Sequence, residues 1–108
     1  MAYYLVQAAY TAEACAALLK NPQDRQEVVR AVVEKMGGRL ESFWFAFGEY
    51  DVVLICQMPD NVAAAAFSMT ISAGGAAKAV KTTPLMTAEE GMEAMRKGAG
   101  AGYRPPSS

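Results

Sequence analysis

The chain has 108 residues, 53% of them hydrophobic and 19% charged, with a formal net charge of −1. That length accommodates one domain with one core, and interspersed acids and bases leave no basic stripe for nucleic acid. Histidine is absent, which removes imidazole metal or haem ligands and any Ser-His or Cys-His dyad.

No apolar run approaches the roughly 20 residues a membrane helix needs. The opening Met1-Ala2-Tyr3-Tyr4 lacks the basic and apolar regions of a signal peptide. A cytoplasmic protein that binds neither membrane nor nucleic acid is expected, with Cys15 and Cys56 as reduced, buried thiols. The spacing of these cysteines matches no zinc pattern. Seven methionines raise the prospect of Cu(I). However, Met36, Met69, Met92 and Met95 fall at helical core spacing, where methionine fills gaps. Neither a metal nor any other cofactor is expected.

Residues 3–10 (YYLVQAAY) are rich in aromatic and β-branched side chains and predict a first strand. Thr11 is an N-cap for a helix over Ala12–Leu19, which Asn21-Pro22 interrupts because a residue before proline leaves the α region. Asp24 restarts the helix, with Glu27 at capping-box spacing. Val28, Val29, Val32, Val33 and Met36 give it one apolar face. Gly37-Gly38 ends it.

Arg39–Phe47 and Tyr50–Met58 follow as two strands joined by Gly48-Glu49, a pair that suits a type II′ turn. In that register Phe47 faces Tyr50, Phe45 faces Val52, Phe43 faces Leu54 and Glu41 faces Cys56, an apolar side for helices to cover. The opposite, mixed side pairs Ala46 with Asp51, Trp44 with Val53, Ser42 with Ile55 and Leu40 with Gln57. A slip of one residue would exchange the two faces.

Asp60 caps a helix that runs through an alanine-rich segment to Ala73 and stops at Gly74-Gly75. Residues 76–85 (AAKAVKTTPL) read as a fourth, edge strand, where lysines deter stray pairing and Pro84 is tolerated. Thr87 and Glu90 form a second capping box for a short helix to Lys97, with Met92 and Met95 turned inward. The result is an α+β, ferredoxin-like β-α-β-β-α-β fold with a four-stranded antiparallel sheet plus a short C-terminal helix. It forms one domain over residues 1–97, followed by a flexible Gly/Pro-rich tail over 98–108.

At Gly48-Glu49-Tyr50-Asp51 the chain resembles the GYD-domain family, named for a Gly-Tyr-Asp motif at this hairpin. The resemblance extends to Asn21-Pro22 with Asp24-Arg25, Gly37-Gly38-Arg39, Phe43-Trp44, Pro59-Asp60, and Ala73-Gly74-Gly75 leading into Lys81-Thr82-Thr83. It spans roughly residues 3 to 97 and implies a ferredoxin-like protein related in shape to dimeric α/β-barrel proteins, which pair sheets around a cavity. It implies no activity, and fold alone licenses none.

Asp51 stands out on the mixed face, as a ligand hydrogen-bonding group or the one available catalytic base. Its competing role is to tie down the hairpin through backbone amides. Trp44 suits either the floor of an aromatic pocket or a subunit interface. Tyr3 and Gln7 on the first strand and Lys81 on the fourth would complete the ligand-binding set. Together these features suggest a homo-oligomeric small-molecule-binding or regulatory domain with a pocket near Trp44 and Asp51. The alternative is a cofactor-independent oxygenase or isomerase in a barrel cavity. A third reading has the Tyr103-Arg104-Pro105-Pro106 tail docking on a partner in extended form.

Overall fold

A computed structural model of the chain describes residues 1–107. Its elements are β1 (Ala2–Tyr10), α1 (Ala12–Lys20), α2 (Arg25–Lys35), β2 (Arg39–Phe45), β3 (Val52–Met58), α3 (Asn61–Ala73), β4 (Ala77–Leu85) and α4 (Ala88–Ala99). The antiparallel sheet has strand order β2-β3-β1-β4, which is the ferredoxin-like arrangement with α1 and α2 sharing the first crossover.

The caps follow the chemistry of the chain. Thr11 Oγ1, Asp24 Oδ1 and Asp60 Oδ1 accept from backbone amides in the first turns of α1, α2 and α3. Thr87 and Glu90 complete a reciprocal capping box on α4. The ladder continuing α2 ends at Gly37, whose φ of +81° would strain any side-chain-bearing residue. Gly38 comes so close to β3 that a Cβ would lie 2.4 Å from the Gln57 carbonyl oxygen.

Strand alternation divides the sheet into two faces. Tyr4, Val6 and Ala8 of β1 and Val52, Leu54, Cys56 and Met58 of β3 are buried beneath the helices, together with Val33 of α2 and Ala64 and Phe67 of α3. The tyrosine hydroxyl in this core, on Tyr4, donates to Asn61 Oδ1. On the open face, Tyr3, Leu5, Gln7, Val53, Ile55 and Gln57 are only half-buried.

The hairpin departs from the expected geometry in two places. The pairs Phe45–Val52, Trp44–Val53, Phe43–Leu54 and Ser42–Ile55 form as expected, but a bulge at Glu41 then shifts the register. Leu40, expected on the mixed face, instead pairs with Cys56 and is buried beside it. Glu41, expected opposite Cys56, accepts from Gln57 Nε2. One extra residue lets the leucine enter the core while the carboxylate stays wet.

At the other end the ladder stops at Phe45, and Ala46 to Asp51 form a wider loop closed by Ala46 N–H donating to the Asp51 carbonyl at 2.8 Å. Gly48 does not adopt the positive φ of a type II′ turn. Phe47 is fully exposed and Phe45 is 60% exposed, because the edge strand runs out past the helical layer. Met69, Met92 and Met95, expected in the core, are also exposed.

Candidate functional site

On the helix side of the sheet, α2 lies over β2 while α3 lies over β3 and β4. The small side chains of Ala8, Ala76 and Ala77, with Gly74, leave the space between these two helices unfilled. The result is a cavity of about 260 Å³ whose walls include Val6, Leu54, Phe43, Val29, Val32 and Phe67. An apolar cavity of about 150 Å³ accommodates benzene, so this one has room for one or two fused rings.

Three polar side chains line the same space: Tyr10 at the end of β1, Arg25 at the start of α2, and Thr70 of α3, whose hydroxyl donates to the Ala66 carbonyl at 2.8 Å. Burial pushes the Tyr10 phenol above its ordinary pKa. The neighbouring Arg25 guanidinium opposes that shift, while Asp51 and Cys15 add to it. The phenol therefore stays protonated at neutral pH and can donate a hydrogen bond. Arg25 is half-buried and donates from Nη1 to Gln23 Oε1 at 3.0 Å. An apolar chamber with one cation and, on Tyr10, one O–H group not engaged by the helix backbone is suited to a compact hydrophobic molecule carrying a single acceptor or anionic group.

Asp51 serves the strand ends. Its N–H donates to the Ala8 carbonyl at 2.9 Å, and its Oδ2 accepts from Tyr10 N–H at 2.8 Å. The carboxylate replaces a backbone carbonyl where the β1–β3 ladder ends, and so fixes the strand end that carries Tyr10. This geometry matches the tie-down role considered for Asp51. A second, shallower recess bordered by Asp51, Phe45, Tyr10 and Cys15 lies against α1.

The other candidates lie across the sheet. Trp44, Val53, Gln7 and Lys81 form one continuous cross-strand row on the open face. Ser42, Ile55, Leu5 and Thr83 form the next, and Tyr3 lies one row further, between Gln57 and Leu85. The structure thus gathers Tyr3, Gln7, Trp44 and Lys81 on one surface, with Asp51 at the sheet end beside Tyr10. Trp44 is 66% exposed. Sequence reasoning missed Tyr10 and Arg25. The available signal was parity: Tyr10 shares the helix-facing alternation of Tyr4, Val6 and Ala8.

The Gly48-to-Asp51 loop thus sits at the strand ends that position Tyr10. The family model described as the GYD domain matches residues 4–95, covering β1 from Tyr4 onward, the other three strands and most of α4. The chain belongs to the GYD domain family. No curated protein matches it. In this GYD domain the motif aspartate extends the β3–β1 pairing past the end of the ladder, while Gly48 has open space around it. Among the described residues no cluster of three or more Cys, Asp or Glu is placed to hold a metal ion, and no helix is long and apolar enough to cross a membrane.

Proposed function

We propose that this GYD domain is a cytoplasmic, homo-oligomeric small-molecule-binding protein. Its ligand has a compact apolar body and one anionic or hydrogen-bond-accepting group. The apolar cavity between α2, α3 and the sheet, with Arg25 and Tyr10 on its wall, carries this reading. The body replaces water against Val6, Val29, Phe43 and Phe67, worth roughly 25 cal/mol per Å² of apolar surface covered. The polar group meets the guanidinium and the phenol.

Self-association is supported by the open face, where Leu5, Val53, Ile55 and Trp44 form an apolar surface that the chain's own helices leave uncovered. Trp44, Gln7, Tyr3 and Lys81 then belong to the subunit contact rather than to the ligand. Asp51 acts by holding Tyr10 in place.

Isothermal titration with 1-naphthoate tests the cavity, with 1-naphthalenemethanol as the uncharged counterpart. Saturable binding at one site per chain is expected for the acid. Filling the cavity by Val29→Trp should abolish binding of both probes. Arg25→Gln should weaken the acid about tenfold, the scale of one charge-assisted hydrogen bond, and leave the alcohol unchanged. If Val29→Trp folds and binds both probes like the parent, the cavity is not the site.

A further inference from the structure

Helix α4 is a well-formed helix with nothing of its own chain to rest on. None of its residues is buried, and it packs extensively against no other element. Yet it is amphipathic: Ala88, Gly91, Met92, Met95 and Ala99 recur at helical spacing along one side, and all five charged residues, Glu89, Glu90, Glu93, Arg96 and Lys97, lie on the remainder with Ala94 and Gly98. Met92 and Met95 are 53% and 72% exposed. An isolated 12-residue helix is marginal in water even with good caps, so this one requires a surface to cover its apolar side.

The dimensions of the chain point the same way. Its radius of gyration is 17.3 Å, against about 13 Å for a compact chain of this length. Its accessible surface is 7562 Å², about 1,800 Å² more than the roughly 5,800 Å² of a compact monomer of this mass. The extended segment after α4 accounts for part of that excess; the projecting helix and the open sheet face account for the rest. Obligate dimers bury about 1,000–2,500 Å² on each partner, so the excess is of the size that a permanent contact removes.

From these observations we infer that α4 is an exchanged arm: it lies across the open sheet face of a second copy, whose own α4 returns the contact. The inference rests on the self-association proposed above and names the element that makes it. The fit is dimensional and chemical. Twelve helical residues span about 18 Å at 1.5 Å each, and four strands are about 14 Å across. The methionines meet Leu5, Ile55, Val53 and Trp44, with flexible thioethers well suited to the irregular surface around an indole. A reciprocal two-fold arrangement closes the assembly, because each copy supplies one arm and one face. It also supplies the burial that Met92 and Met95 lack within their own chain.

The test uses the full-length chain and its single tryptophan, Trp44. Sedimentation of the parent should give a dimer, with Trp44 emission shifted to the blue and returning to the red on dilution. Met92→Asp/Met95→Asp should weaken the dimer at least ~100-fold, since two buried apolar side chains on each arm are replaced by charges, and give red-shifted Trp44 emission with unchanged far-UV circular dichroism. Met95→Asp alone, at the more exposed position, should produce the same shifts at smaller size. A dimer that survives both variants with Trp44 still blue-shifted overturns the arm while leaving self-association standing. A parent that stays monomeric at tens of micromolar overturns both.

Discussion

Removing the Asp51 carboxylate separates a structural role from a chemical one. In Asp51→Ala the Tyr10 amide loses its acceptor at 2.8 Å, while the Asp51 N–H to Ala8 carbonyl bond is untouched because it belongs to the backbone. A hydrogen bond to a charged group contributes about 1.5–3 kcal/mol. Asp51 is half-buried, so water can partly replace the lost partner, and a cost of about 2 kcal/mol is expected. For a domain of this size that lowers the melting temperature by about 8–12 °C. Asp51→Asn keeps an oxygen acceptor but loses the charge, and should recover roughly half of the loss. Urea unfolding followed by circular dichroism measures both, with 1-naphthoate titration of the same samples below their transitions. The reasoning fails if Asp51→Ala unfolds within 0.5 kcal/mol of the parent but no longer binds the ligand, for then the carboxylate acts on the ligand and not on the strands.

Two further expectations come from the packing. Gly38→Ala would place its Cβ 2.4 Å from the Gln57 carbonyl oxygen, 2.6 Å from Met58 Sδ and 3.2 Å from Val33 Cγ1; the β3 backbone can yield only by breaking its pairing with β2. A loss of about 2–3 kcal/mol in urea unfolding is expected, whereas Gly48→Ala, with open space and no positive φ, should stay within about 0.5 kcal/mol of the parent. The two thiols should also behave differently, since Cys15, expected to be buried, is exposed on a helix with no buried residue, whereas Cys56 is fully buried, with its pKa pushed up to about 11 by that burial. Ellman's reagent should titrate one thiol in the native chain and two after denaturation. Because the folded pKa lies above the unfolded value of 9.0, the contribution of Cys56 is complete below pH 9 and is lost as pH rises toward 11. The loss is about 2–3 kcal/mol, and the raised Tyr10 phenol adds to it with the same sign. A stability that does not fall over that interval would contradict the burial of Cys56.

The elements were legible because their signals are local. Thr11, Asp24, Asp60 and Thr87 begin helices where an oxygen is needed to satisfy orphan amides, and all four accept from first-turn amides; the capping box expected of Asp24 and Glu27 does not form, because Glu27 pairs with Arg30 instead. Alternation along β1 and β3 separated core from open face, and the Phe45–Val52 pair expected from a two-residue turn at Gly48-Glu49 forms although the turn itself is wider. The hairpin details were less accessible. Whether Glu41 pairs or bulges depends on the space waiting for Leu40 beside Cys56, which no neighbouring residue encodes.

What the chain determined unaided is therefore the order of strands and helices, where the helices begin, and which side of the sheet is apolar. These follow from hydrogen-bonding and periodicity rules that act over a few residues. Only the tertiary structure decided where the unfilled space lies, between α2 and α3 with Tyr10 and Arg25 on its wall, and that α4 leaves the core with its methionines bare. Both are outcomes of packing: a cavity is volume that residues distant in sequence fail to occupy, and an uncovered helix face reflects the absence of any neighbour on its own chain.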